Sequence, residues 1–453
     1  MANTFFNVEY FLFFCVFAAL GTGIAAKTKQ TVKTTYFIVG AGLLIASVSF
    51  YERTYSRFVL FMIAFAAFVV FSFCVDWLRH NKFQGCEFGI LYLTSTIGLL
   101  FAVKADDFLT LLLALELAQT SLVFLIAFKR SDFLADRAAV RFLTVSAISD
   151  VLFVFGATVV YAATGTFEYA KLQTALSGAE TSPALVAGFV FLFAGFFVKT
   201  AAVPFHLWYA DVSEGAPPPV SAFIGVVWRL SLMCVLARWV FEPFKQTAFF
   251  CRPVLLFFAV CSVVFGATGT VLQTKVKRLA AFTVVTGNGF AFMALAVGDM
   301  SALLFLLIVE TVLYTGLFAI VLSLKTEDGL SEDILSLKGK GRNVPLRGAF
   351  FSMVFVGLSG LPPFAGFWGR FFLLKESVMR GAAVFAIVAL TGEVLSAYAY
   401  LRMVYLLYKD MPADDFAPIA FPMRFTIVAA AFFSVFLMVW IVPLSAFVQK
   451  IGF

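Results

Sequence analysis

Apolar runs of bilayer-spanning length follow one another along almost the whole chain, separated by short polar stretches. About 20 consecutive apolar residues are enough to cross a membrane as a helix. Fourteen such spans are predicted, at 8–26, 34–50, 57–77, 86–104, 107–128, 142–163, 183–203, 219–242, 252–272, 278–297, 300–324, 347–377, 380–408 and 424–448. The fourth and fifth spans are joined only by Lys104 to Asp107, and the tenth and eleventh only by Gly298 to Met300. Helices joined so tightly are antiparallel neighbours. The predicted fold class is therefore all-α integral membrane, with no soluble domain of appreciable size.

Two spans contain breaks. The seventh runs out in Lys199-Thr-Ala-Ala-Val-Pro204-Phe-His206-Leu-Trp208. The twelfth holds Gly360-Leu-Pro362-Pro363-Phe-Ala-Gly366-Phe-Trp368-Gly369-Arg370. Each has a Pro-Phe followed closely by a Trp and flanked by a cation. Broken helices at membrane depth are tolerated where the freed backbone lines a polar cavity. Paired breaks at matching positions point to a transporter built from inverted repeats. The expected organisation is three leading helices (1–80), two five-helix repeats (86–242 and 252–408) of inverted topology, and a last helix (424–453).

Composition agrees: 62% of the 453 residues are hydrophobic and only 13% charged, against about 25% charged in soluble domains. The net charge of +7 does not point to nucleic acid, because the basic residues sit in short loops. Alternate loops collect them: Lys27, Lys29 and Lys33; Arg79 and Lys82; Lys129, Arg130 and Arg137; Lys275 and Lys277; Lys325, Lys338, Lys340 and Arg342; Lys409 and Arg424. That set is expected on the cytoplasmic or matrix side, with both termini opposite. The six cysteines form no CxxC pair, so no zinc or iron–sulfur site is expected. The N-terminal residues have no Arg-rich stretch, so no cleavable transit peptide is expected. Sixty Phe residues are a load common in organelle-encoded membrane proteins.

Ionisable groups inside spans are costly and mark function. They are Glu116, Asp150, Lys199, Arg229, Glu310, Arg370 and Glu393. Glu116 must pair or be protonated; its plainer reading is a structural hydrogen bond to a neighbouring helix. Lys199 sits one turn before a proline break, where burial and a nearby carboxylate pull its proton affinity in opposite directions, which suits a relay. Its plainer reading is a lysine reaching for the interface. His206 directly follows the break, as a second carrier or as a packed polar residue. Asp211 and Glu214, before Pro217 to Pro219, are expected to form the turn and cap of the next helix.

The stretch Lys199-Thr-Ala-Ala-Val-Pro-Phe-His-Leu-Trp, followed by Asp211-Val-Ser-Glu-Gly-Ala-Pro-Pro-Pro-Val-Ser, resembles the signature of the antiporter-like membrane subunits of respiratory complex I (NADH:ubiquinone oxidoreductase). The Asp-Val-x-Glu-Gly-Ala-Pro form looks like the N-type branch, chain 2. Three further elements are similar to that branch: Gln273-Thr-Lys-Val-Lys277-Arg-Leu-Ala-Ala-Phe, Leu335-Ser-Leu-Lys-Gly-Lys-Gly341, and Leu358-Ser-Gly-Leu-Pro-Pro-Phe-Ala-Gly-Phe-Trp-Gly. The resemblance covers roughly 85–410. Sibling subunits and sodium/proton antiporter proteins share the fold but usually carry Ser-Ala-Leu-Ile-His in the eighth helix; Ser221-Ala-Phe-Ile-Gly225 lacks that histidine.

The resemblance implies a line of proton sites, with Glu116 and Lys199 matching the first two. The family's eighth- and twelfth-helix lysines fall on Arg229 and Arg370. Arginine does not release its proton in a protein, so these read as fixed charges, with Asp150, Glu310 and Glu393 as their counter-charges. The implied function is a proton-translocating, membrane-arm subunit of NADH:ubiquinone reductase. NADH, FMN, iron–sulfur clusters and quinone are expected in other subunits; the implied partners are neighbouring membrane-arm subunits, membrane lipids and protons. The rivals are a subunit of a multi-subunit cation/proton antiporter and a structural subunit without a working channel. The expected location is the mitochondrial inner membrane, or alternatively the bacterial plasma membrane.

Overall fold

The computed structural model describes residues 12, 14–19, 29–49, 55–81, 86–129, 132–178, 182–326, 329–330, 333–409, 416 and 418–451. The first predicted span, 8–26, and parts of the loops at 325–346 and after 409 lie largely outside them. Each of the other thirteen predicted spans coincides with a helix or a broken helix.

The helices fall into two compact units, one of Met1–Thr200 with Gly215–Thr247, the other of Ala201–Glu214 with Ala248–Phe453. In the first unit, α1 is Lys29–Ser49, α2 Tyr55–His80, α3 Glu87–Lys104, α4 Phe108–Ile126, α5 Phe133–Thr164, α6 Tyr169–Gly178 and α7 Pro183–Lys199. After the break, Leu207–Gly215 forms α8, which apart from Gly215 belongs to the second unit; the eighth span, in the first unit, is α9 (Pro218–Phe223), a single π turn (Ile224–Trp228) and α10 (Arg229–Phe241). In the second unit, α11 is Ala248–Leu272, α12 Val276–Val297 and α13 Met300–Ser323. A two-residue hairpin, Lys325–Thr326 with Gly329–Leu330, precedes α14 (Lys340–Asn343). Then come α15 (Pro345–Leu358), α16 (Ala365–Met379), α17 (Ala383–Tyr408) and α18 (Phe421–Ile451).

Local chemistry sets the helix starts. The side chains of Asp107, Asp132, Ser182 and Asp299 each accept a backbone N–H in the first turn of α4, α5, α7 and α13, the usual role of an N-cap. Gly298 takes the left-handed conformation (φ 75°) that closes α12, which permits the short turn into α13. As expected, α3 packs on α4 and α12 on α13. Helix α5 begins nine residues before the predicted span, at Phe133. Its first turns carry Asp136, Arg137 and Arg141, charges that the hydropathy pattern leaves outside the span, and the Asp132 cap starts the helix ahead of them.

Burial separates central helices from peripheral ones. Most residues of the α9–α10 span and of α12 are buried within the chain, against a minority of those in α5 and α18. The outward faces of α5 and α18 are apolar, with Val140, Leu143, Val151, Phe432, Val439 and Trp440 among the exposed side chains, as a lipid or protein neighbour requires.

Candidate functional site

At the first break, α7 ends on Lys199 and the chain leaves helical form until α8. The last carbonyls of a helix have no donor within it, and inside a bilayer each must find one. Here the Lys199 carbonyl accepts from Trp228 Nε1 at 3.4 Å, and the Phe197 carbonyl from Thr200 Oγ1 at 3.2 Å.

The Lys199 side chain is buried, with the residue 4% exposed. Its Nζ lies 2.6 Å from Asp150 Oδ1 on α5 and donates to Gln119 Oε1 on α4, also at 2.6 Å. Gln119 Nε2 donates in turn to Asp150 Oδ2 at 2.6 Å, closing a triangle across three helices. Glu116, three residues before Gln119, lies near enough to the group for its charge to interact with Asp150 and Lys199. Two carboxylates thus face one ammonium. The cluster is neutral when it holds one extra proton and singly negative when it does not. Every ionisable member can take up and release a proton, so the group can store one and hand it on.

This meeting depends on a close approach of α5 and α7. A Cβ on Gly195 would lie 2.7 Å from both Ser149 O and Phe153 N. The Ser149 hydroxyl donates to Gly195 O at 2.7 Å. Asp150 follows Ser149, and Lys199 lies one turn after Gly195, so the contact that draws the helices together also sets the ion pair.

Arg229 is buried at the start of α10, immediately after the π turn. Such turns are frequent at functional sites. The preceding residue, Trp228, is the one that holds the Lys199 carbonyl.

The second break separates α15 from α16, with Gly360 in the left-handed region (φ 66°). Arg370 on α16 is 5% exposed and pairs with Glu393 on α17, itself 7% exposed. Its Nη1 also donates to the Leu358 carbonyl at 3.0 Å, so the arginine satisfies the carbonyl that the break frees. The guanidinium stands 5.1 Å over the Phe290 ring, a favourable placement for a cation. Glu310 on α13, Tyr314 and Tyr400 surround the same charge. The two tyrosines also grip α12: Tyr400 Oη donates to Thr283 Oγ1 at 2.9 Å and Tyr314 Oη to Thr283 O at 3.2 Å. Lys375, the lysine of this helix, is exposed.

His206 belongs to the second unit. It is half-buried with its ring edge-on to Phe282 at 6.0 Å, and among the described residues no ion pair reaches it. Asp211 and Glu214 do not cap α9, whose N-cap is Pro217 with no side-chain hydrogen bond. They hold a basic run instead: Arg278 Nη1 reaches Asp211 Oδ1 at 2.8 Å and Glu214 Oε2 at 2.7 Å, Lys275 Nζ reaches Glu214 Oε1 at 2.5 Å, and Lys277 Nζ donates to Glu214 O at 3.0 Å. Two cations, Lys275 and Arg278, outcompete a backbone N–H for these carboxylates.

Comparison with known proteins bears on this arrangement. The family described as NADH:quinone oxidoreductase/Mrp antiporter, transmembrane, matches residues 105–396, which include both breaks and every buried ion just described. The chain belongs to this family. It is 30% identical to NADH-quinone oxidoreductase subunit N of Parvibaculum lavamentivorans over 93% of this chain and 89% of that subunit. A chain of respiratory complex I from Thermus thermophilus is 25% identical and superposes with a TM-score of 0.82 over 97% of this chain and 98% of that one. A chain of the Mrp complex from Dietzia sp. superposes with a TM-score of 0.87 over 98% and 96% at 17% identity, a likeness of fold alone.

Within the family frame, two sequence readings change. Asp150, expected as a counter-charge for an arginine, is the partner of Lys199. Gln119 was not singled out at all, although it lies one turn from Glu116 on the same helix face, a large polar side chain inside a predicted span. That spacing was the available signal.

Proposed function

We propose that this chain is the N-type antiporter-like subunit in the membrane arm of a proton-translocating NADH:quinone oxidoreductase, and that its own half-channel runs through Glu116, Gln119, Asp150 and Lys199. The buried triangle of Lys199, Asp150 and Gln119 at a helix break carries the reading: it is a proton store held where freed backbone admits water. Arg370 and Arg229 act as fixed charges, because arginine does not give up its proton. His206 is a secondary carrier that water must serve. The repeats at 86–242 and 252–408 are part of the same proposal. NADH, flavin, iron–sulfur clusters and quinone belong to other subunits, and neighbouring membrane-arm subunits and lipid surround this one. The named relatives are bacterial, which supports the bacterial plasma membrane; the Phe content is the support for a mitochondrial inner membrane.

The rival is a subunit of a cation/proton antiporter, which the Mrp superposition favours. The named subunit N relatives and the missing histidine at Gly225 weigh against it. Purifying the native complex through this chain tests the choice: NADH:quinone reductase activity should copurify. A complex that exchanges sodium for protons without that activity would reject the proposal. Within the oxidoreductase, Lys199→Ala should lower the pumped-proton yield per NADH; an unchanged yield would leave the chain a structural role.

A further inference from the structure

Glu393 is a buried acid near the middle of α17. Ser396 and Tyr400, three and seven residues further on, share its face of the helix and are buried too. We propose that Glu393 is a proton-exchanging group of the second unit, reached from the Lys409 end of α17 through the hydroxyls of Ser396, Tyr400 and Thr283 and the water that joins them. This rests on the reading of the chain as a proton-translocating subunit and adds a residue to it.

In the buried pair of Arg370 and Glu393, only the acid can change its protonation, because arginine keeps its proton. Arg370 takes one carboxylate oxygen, Oε1. The other, Oε2, is buried with no hydrogen-bond partner among the described residues, and so is the Ser396 hydroxyl one turn on. A helical serine ordinarily returns its hydroxyl to the carbonyl four residues back, as Ser231 and Ser377 do here. Two unmet polar atoms on one buried face suit a bridging water. An unmet buried acceptor is costly, and a proton on Oε2 removes the charge and makes that oxygen a donor.

Arg370 is not stranded when Glu393 takes up a proton. Its Nη1 also donates to the Leu358 carbonyl at 3.0 Å, and its guanidinium stands 5.1 Å over the Phe290 ring. A Cβ on Gly360 would strike both Glu393 Oε1 and Arg370 Nη1, so the pair lies against the backbone of the break, where polar groups and water are tolerated at membrane depth.

The hydroxyls give the acid a route. Ser396 lies about 4.5 Å and Tyr400 about 10 Å beyond Glu393 along the helix axis, toward Lys409. Tyr400 Oη donates to Thr283 Oγ1 at 2.9 Å, and Thr283 Oγ1 donates to the Leu279 carbonyl at 2.9 Å on α12. A hydroxyl both donates and accepts, so such a row can pass a proton. The charges that face Glu393 are Arg370 on α16 and Glu310 on α13, with the phenols of Tyr314 and Tyr400 beside them. On uptake the proton bonds to Oε2 and the carboxylate becomes a neutral acid. On release that O–H bond breaks and the ion pair with Arg370 returns.

The test uses the native complex containing this chain. Redox infrared difference spectra should show a carboxylic-acid C=O band that shifts in D2O and is lost in Glu393→Gln. Because that variant leaves Arg370 uncompensated, Glu393→Gln with Arg370→Gln removes both charges, and the band should be absent there as well. Ser396→Ala keeps the ion pair; in sealed vesicles it should lower the pumped-proton yield per NADH and slow the appearance of the band. Persistence of the band in the double variant, or a wild-type yield in Ser396→Ala, overturns the proposal. A lowered yield in Lys199→Ala with no Glu393 band overturns this inference alone and leaves the proposed function standing. No loss of yield in Lys199→Ala, Ser396→Ala or the double variant removes both.

Discussion

Lys199 Nζ sits 2.6 Å from Asp150 Oδ1, and the bond crosses between two helices that a glycine and a serine hold in backbone contact. A buried lysine is thereby given one carboxylate as its partner and a second, Glu116, at the edge of the same hydrogen-bonded group. Proton storage and helix packing rest on the same few residues.

The pair makes a double-substitution prediction. Removing one partner of a buried ion pair costs about 3–5 kcal/mol because the other is left uncompensated. Asp150→Asn should lower the yield of assembled complex on native gels. Asp150→Asn with Lys199→Met removes both charges and should restore assembly while proton pumping stays low. Recovery of pumping in the double variant would show that protons bypass this cluster.

The glycine contact is separable from the charges. Gly195→Leu leaves Lys199, Asp150 and Gln119 in place but drives a side chain into Ser149 O and Phe153 N. Overpacking of this kind costs about 1–3 kcal/mol, and here it also parts the ion pair. A lowered unfolding midpoint together with reduced NADH-driven acidification is expected. Normal pumping at a lowered midpoint would mean that the pair survives the shift.

At the second break, Arg370 serves both Glu393 and the Leu358 carbonyl. Arg370→Lys keeps the charge and should retain most pumping. Arg370→Gln strands Glu393 in a site 7% exposed and should abolish it, with a loss of stability of about 3–5 kcal/mol. Proton flux at the wild-type level in Arg370→Gln would end the fixed-charge interpretation.

Orientation is tested by proteolysis. Lys338, Lys340 and Arg342 crowd the 325–346 loop, so protease should cut it only from the cytoplasmic or matrix face of sealed vesicles. Cutting from the opposite face would invert the topology.

Much of this protein is legible along the chain. Spans announce themselves because a bilayer demands long apolar runs, and the breaks at Val203-Pro204 and Pro362-Pro363 stand out because proline removes a helix donor. The ions inside the spans were visible for a related reason: Glu116, Lys199, Arg229 and Arg370 are conspicuous in apolar runs. Glu393 stood out as a counter-charge for an arginine because it too is an acid inside a span.

What the chain order does not carry is partnership between distant helices. Lys199 and Asp150 are 49 residues apart and Lys199 and Gln119 are 80, so their meeting depends on how α4, α5 and α7 are rotated and how closely they approach. Gly195 sets that distance, and a glycine in an apolar run gives no sign of which backbone it will touch. The same holds for Asp211 and Glu214, whose carboxylates went to Arg278 and Lys275 on α12 and its lead-in. An ion in a low-dielectric interior takes the best opposite charge within reach, and only the packed structure decides what is within reach.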